Sequence, residues 1–463
     1  MNSSFFADFA PTDYAQWKAQ AIKDLKGKDF DQTLVWNSIE GFDIQPYYTD
    51  KNTQLFNSED IRQHQERKIA GWLNLQTVVF DTEPTTNAQL LGLMTKGVDG
   101  FTLDLTQIDV CSVVFPKLLH GIKLSEVSIH FRVRNQASEL VSRLLQFINY
   151  QMRGGIADDA HATWAKTGSM TSTHYESLRD TIIKTRSSPN FRPITVESHV
   201  FHHAGATATQ ELACALASAV AYIDKLTDLG LPLSDIIPKI QFSVSVGTSY
   251  FVEIAKLRAL RYLWSVVLDQ FGLSNNEAHR LFIAAETSHF FDATSSPHTN
   301  LLRATTQSMA AVVGNADALT THAYDADFDP NNAFSERIAR NISILMKEEG
   351  HFDKINDPAA GSFYVENLTH QLAQNAWELF LKIEEKGGFV AAFEQNFVQD
   401  LIESTHEVRC EALRGGATVM VGVNKFREPE NNNPARVTAP SGIVENVPFK
   451  LLSEKRISKA VDK

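Results

Sequence analysis

Cysteine is scarce in this chain, and its three copies, Cys111, Cys214 and Cys410, are odd in number and far apart. No disulfide framework or paired metal-ligand spacing can be built from them, which points to inert thiols in a reducing compartment and hence to the cytoplasm. Long apolar runs are missing too. No stretch approaches the roughly 18 apolar residues that a membrane helix needs. The opening "MNSSFFADFAPTDYAQWK" lacks a basic stretch followed by an unbroken apolar one, so neither export nor membrane insertion is expected. Positive charge is in deficit, with 43 Lys and Arg against 55 Asp and Glu for a net −12. Such a balance repels phosphate backbones and anionic membranes, and the basic residues gather only in scatter such as "SEKRISK", so nucleic acid is excluded as a partner. Glycine-rich phosphate cradles are also absent. Neither "RGGIADD" nor "GGATVMVG" has the GxxxxGK[ST] or GxGxxG form, so the chain is not itself a P-loop GTPase.

What is present reads as an ordinary globular chain of 463 residues, 43% hydrophobic and 21% charged, long enough for one large barrel or for two to three smaller domains. Thr12 as a cap, followed by Tyr14, Trp17, Ala21, Ile22 and Leu25 at helical spacing, predicts an amphipathic helix over 12–26. The following "TLVWNSIEGFDIQPYYT", punctuated by Gly41 and Pro46, reads as an extended arm outside the core. From about residue 70 short apolar strands alternate with helical sequence: "LQTVVFD", "GFTLDLT", "EVSIHFRV", "PITVESHVF", "KIQFSVSV", "RLFIAAE" and "ALTTHAYD". With room for an eighth strand between 150 and 175, the pattern predicts an α/β fold, a (β/α)8 TIM barrel. Beyond Pro330 and Asn331 only helices are expected, one over "AFSERIARNISILMKEEG" with Gly350 at its end and one over "THQLAQNAWELFLKIEEKGG". The Pro- and Asn-rich "REPENNNPARVTAPSG" reads as a surface excursion. The implied division is an arm for partner contact at 1–68, a barrel at 69–330, and helices and a tail at 331–463.

Polar residues sit at alternate positions of the barrel strands, as with Thr195, Glu197 and His199, or Ser243 and Ser245. Either they line a lumen open to a polar ligand or they face the outer helices through satisfied hydrogen bonds. His199, His202 and His203 form an H-x-x-H-H cluster after a strand, where His289 and His298 could join them around a metal. No carboxylate stands in a three-ligand spacing with them, so satisfied or exposed histidines are the better reading. Glu197, Glu253 and Glu286 could supply paired carboxylates for acid–base work, but Glu253 lies within "VEIAKLRAL", where a structural ion pair is the simpler role.

Several segments, in order, resemble the methylmalonyl-CoA mutase family along nearly the whole chain. They are "DYAQWKAQAIKDLKGKDFDQTLVWNSIEGFDIQPYYT", "HHAGATATQELACALASAVAYI", "SYFVEIAKLRALRYLW", "PHTNLLRATTQSMAAVVGNADALT", "SERIARNISILMKEEG", "DPAAGSFYVENLT" and "VGVNKFRE". The resemblance implies a substrate barrel of the kind that the family's catalytic chain threads with a CoA tail. That chain adds a flavodoxin-like domain holding cobalamin through Asp-x-His-x-x-Gly, and here too few residues follow "VGVNKFRE" for such a domain. Asp159-Ala-His161 has the offset of that motif, but Trp164 stands where the glycine belongs. Val200 falls where the active chain has a substrate-contacting histidine, Ala284 replaces another histidine and Glu286 a glutamine, while Thr287 and Ser288 are kept. The tyrosine-bearing segment of the active chain has no counterpart before "ERKIAGWLNLQTVVFD", and "PHTNLLRATT" looks like the family's small subunits.

The resemblance therefore implies a small subunit, non-catalytic on its own. It would pair one to one with a large catalytic subunit that binds adenosylcobalamin and interconverts methylmalonyl-CoA and succinyl-CoA, and it could meet a GTPase chaperone through that complex. No catalytic, cofactor or metal residue is assigned to this chain. His199, Glu286, Thr287 and Ser288 are the substrate-binding candidates at the barrel mouth. The alternatives are an active substrate barrel working with a separate B12-binding domain, and a CoA-binding module without chemistry.

Overall fold

A computed structural model describes residues 12–67, 69–273, 280–329, 332–427, 443–444 and 446–461. The opening segment 1–11, Pro330, Asn331 and the tail stretch 428–442 lie outside the described residues. One sheet dominates, and its strands are all parallel. They are β1 (Leu73–Val79), β2 (Gly100–Asp104), β3 (Ser128–Arg132), β4 (Gly154–Ala157), β5 (Ile194–Glu197), β6 (Ile240–Val246), β7 (Phe282–Thr287) and β8 (Ala318–Thr320). The ninth segment of the sheet, Phe191–Arg192, pairs with β4, while β5 pairs with β6. Pro193 separates the two and has no N–H to give, so the ladder changes partners there, and the nine segments make eight strands. Ala318 opposite Leu73 joins β8 to β1 and closes the ring. The (β/α)8 barrel is thus observed, with β4 as the eighth strand.

Strand alternation decides what each face meets. Val196, Phe242, Val244, Val246 and Ile283 belong to one large apolar core with the outer helices, and Phe101, Leu103, Ile129, Phe131 and Ile156 to a second core on the other side. Their polar neighbours therefore point into the lumen. There they bond to one another: Gln241 Nε2 donates to Thr195 Oγ1 at 2.8 Å and lies 3.3 Å from His130 Nδ1, and Thr195 Oγ1 donates to the Ile156 carbonyl at 2.5 Å. Neither sequence alternative fits fully, since these side chains face inward yet bond to one another, with Gln241 Oε1 left buried without a partner.

The N-terminal helix covers Tyr14–Asp24, and its cap is Asp13 rather than Thr12, because Asp13 and Gln16 form the reciprocal capping box. The arm that follows makes a two-rung antiparallel ladder, Trp36 opposite Ile44 and Asn37 opposite Asp43. It is not wholly outside the core. Ile44 and Tyr48 are buried in the main cluster, while Trp36 and Tyr47 stay about half exposed. Helix Ala333–Glu348 lies where the apolar periodicity places it, while the second helix, Phe363–Glu385, starts six residues before the expected Thr369, where Ser362 caps it, and stops just before Gly387, whose φ of 99° only glycine adopts easily. No helix among the described residues is long and apolar enough to cross a membrane.

Candidate functional site

At the C-terminal ends of the strands, where barrels place their chemistry, β3 and β7 bring Arg132 and Glu286 within 3.7 Å. His322, just beyond β8, meets the other oxygen of Glu286 at 3.2 Å. Burial alone would raise the Glu286 carboxyl, but His199, His322 and Arg132 reverse this and hold it well below the usual carboxylate range. Burial and the neighbouring His289 lower His322, so an ionised Glu286 accepts from a neutral imidazole. His289 sits 4.2 Å from His322, ring to ring. Despite burial, Asp292 and Asp327 raise it.

Of the substrate-binding candidates, Glu286 and His199 reach this mouth. His199 stacks at 6.3 Å on His203, and its Nδ1 is buried without a partner. Thr287 points away from the lumen, and its Oγ1 accepts the backbone N–H of His322 at 2.9 Å. Ser288 is buried beneath the mouth in a chain of contacts. His202 Nε2 lies 2.7 Å from Ser288 Oγ, and Nδ1 lies 3.2 Å from Glu211 Oε2. The order is that of a nucleophilic triad, but Ser288 is 2% exposed and its Oγ also accepts the Phe290 N–H. Glu211 is shared with Lys256 at 2.8 Å and Ser198 at 2.6 Å. The network holds helices to strands and offers no nucleophile to solvent. Val200 packs in the main core, and Ala284 faces the lumen opposite Ser243.

The remaining suspects have structural partners. Both ring nitrogens of His202 are taken, and His203 Nε2 meets Ser245 Oγ at 3.2 Å, so the H-x-x-H-H trio does not present three free ligands. Among the described residues one trio, His289, Asp292 and Asp327, brings potential ligand atoms within 4.8 Å. Arg456 already binds Asp327 through two 2.8 Å bonds, so its guanidinium stands where a cation would. Glu253 pairs with Lys256 at 2.7 Å, the structural role its helix suggested.

The residues present do not fit a corrin at the Asp159–His161 offset. Asp159 caps a helix and accepts from Tyr222 at 2.7 Å, and both ring nitrogens of His161 are engaged, Nδ1 with Ser218 Oγ at 2.8 Å and Nε2 with the Tyr175 hydroxyl at 2.7 Å. Trp164 packs on Phe393 and Phe449, which explains a large ring at that place.

Sequence reading missed Arg132, His322, Asp327 and Arg456. For the first two a signal existed, since each closes a strand segment, "EVSIHFRV" and "ALTTHAYD", at the end where barrels carry function. For Arg456, far along the chain, nothing local pointed to the mouth.

At the opposite end of the barrel a cavity of about 790 Å³ is lined by Arg67, Arg153, Arg280 and Lys347, with Asp317 and Asp353. Between the two ends the lumen is closed. Thr195, Gln241, His130 and Thr102 are each at most 5% exposed, and Arg192 lies over the Phe282 ring at 4.5 Å below them.

Comparison with known proteins matches residues 109–461 to the family model described as methylmalonyl-CoA mutase. The methylmalonyl-CoA mutase small subunit of Porphyromonas gingivalis is 32% identical over 436 residues, covering 91% of this chain and 71% of that protein. The small subunit from Streptomyces virginiae is 29% identical over 95% of this chain and 75% of its own length. The methylmalonyl-CoA mutase of Escherichia coli K12 is 34% identical over 239 residues, covering 52% of this chain and 34% of that protein.

Proposed function

The chain belongs to the methylmalonyl-CoA mutase family, and from that premise we propose that it is the small, structural subunit of a heterodimeric mutase. Its partner would be a large subunit that binds adenosylcobalamin and carries out the methylmalonyl-CoA to succinyl-CoA isomerisation; any GTPase chaperone would reach it through that complex. The observation that carries this reading is the closed lumen. A CoA tail threaded along the axis would have to displace Gln241, Thr195 and His130, which bond to one another in the middle of the barrel. Val200 and Ala284, which stand where the resemblance implies histidines of the active chain, support it, as do the small-subunit names of the relatives.

Co-purification with the large chain, followed by an adenosylcobalamin-dependent mutase assay, tests this. An active pair from a small chain that binds neither cobalamin nor CoA is the expected result. Turnover by this chain with a separate B12-binding domain, and no large chain, would replace the reading with the active-barrel one. A second reading, a CoA-binding module, draws on the cationic cavity at the N-terminal end of the strands. Mass action then requires CoA to raise the melting temperature of the isolated chain, and the structural-subunit reading requires no rise.

A further inference from the structure

The last described stretch, 446–461, forms no helix or strand until the short turn Ile457–Ala460, yet it is fastened to the C-terminal face of the barrel along its length. Leu452 N–H donates to Ala165 O at 2.9 Å beyond β4, Lys455 N–H to His203 O at 2.8 Å beyond β5, and Ile457 N–H to Phe290 O at 2.9 Å beyond β7. Arg456 grips Asp327 beyond β8 with two 2.8 Å bonds, and Ser458 Oγ donates to the Asp292 carbonyl at 2.9 Å. On the facing wall, Glu286, Glu197, Asp104 and Glu454 keep the Arg132 guanidinium charged against the cost of its burial, which brings Glu454 within the field of β3. The ties beyond β4, β5, β7 and β8 carry the segment over one half of the ring of strands, and the charge of Glu454 reaches Arg132 of β3.

We propose that residues 452–458 form a tethered plug over the C-terminal mouth of this barrel, with the Arg456–Asp327 pair as its latch. The plug closes over His203 and His289 and denies the mouth to a docking domain or a small ligand. Its hold differs in kind from that of the barrel below. Isolated hydrogen bonds to the helices and loops beyond the strands, each worth about 1 kcal/mol net, and two buried side chains, Leu452 in the main core and Ile457 beside Phe290, fix it, whereas the strands share a continuous ladder. It can therefore lift by local opening while the barrel stays folded. The latch is the strongest tie, because both partners are less than 20% exposed, at 16% and 17%, and the contact is bidentate. The proposal goes beyond the subunit reading, since it concerns access to this barrel whether the chain works with a partner or alone.

The test uses the full chain at pH 7 with diethyl pyrocarbonate, which modifies accessible imidazoles, and peptide mapping by mass spectrometry. Exposed His120, His298 and His351 serve as controls. Arg456→Glu is expected to speed modification of His203 and His289 about tenfold, the change that about 1.4 kcal/mol of lost latch energy produces. The controls should keep their rates, and the charge-swapped Arg456→Glu/Asp327→Arg pair should restore slow modification. Equal rates at His203 and His289 in wild type and Arg456→Glu would overturn the proposal. Hydrogen exchange on the wild type decides the matter should the variants not fold. Lys455 and Ile457 amides should exchange at least about tenfold faster than Phe242 and Val244 of β6, as local opening requires. Exchange at the rate of β6 would mean that the segment is an integral belt and no plug.

Discussion

Glu211 accepts from Lys256, His202 and Ser198 at once. Burial would raise its carboxyl, but Lys256 and His202 draw it down to about 2. A carboxyl depressed on folding contributes stability in full above its unfolded value of about 4.5, and the contribution is lost as pH falls through that value towards 2. The expected loss is about 3 kcal/mol, read as a falling urea midpoint between pH 5 and pH 2.5, and Glu211→Gln should flatten that part of the profile. Lys256→Met should cost about 3–5 kcal/mol at pH 7, because it leaves Glu211 and Glu253 buried without their cation. His161 adds loss at higher pH. Burial lowers it to about 3, so the folded state refuses a proton that the unfolded chain takes below about 6.5. Spacing alone raised a cobalt ligand at His161 and a metal trio that includes His202, and the sequence favoured neither. Their neutral roles follow from Ser218, Tyr175, Ser288 and Glu211, partners distant in sequence that no local pattern could supply.

Two glycines separate what a strand tolerates from what a helix tolerates. Gly154 opens β4 at φ 107°, and a Cβ there would collide with the Ile129 backbone. Gly154→Ala should abolish soluble expression, because neither backbone can move without breaking the β3–β4 ladder. Gly92 lies inside helix Glu83–Met94 with nothing within 4 Å of a Cβ, so Gly92→Ala should raise stability by about 0.5–1 kcal/mol in a denaturant titration. The strands were legible because each is a short apolar run, and β4 was legible only as a gap, since "GGIA" carries too little β-branched sequence to stand out. The direction in which alternate side chains point was not legible, as both faces of these strands are buried.

Across the molecule one ion network fastens arm, barrel and C-terminal helices. Arg258, wholly buried in helix Tyr250–Gln270, contacts Asp357 and reaches Glu366 at 3.2 Å, and Glu366 also accepts from Arg62 at 2.9 Å. Glu366→Gln should cost about 3–5 kcal/mol, as breaking a buried pair does, and should speed proteolysis near residues 58–63 before the barrel melts. An intact arm in that variant, probed by limited digestion, would show that the aromatic contacts of Tyr48 with Tyr364 suffice.

The sequence by itself determined the barrel, the C-terminal helices and the family, because periodicity and ordered segments are local or cumulative signals. Only the folded chain shows that the lumen is shut, which distant partners hold His161 and His202 in the core, and that Arg456 lies at the mouth. Each of these depends on which side chains from distant strands and loops meet in a low-dielectric interior, where a hydrogen-bond partner or its absence sets the role of a polar group.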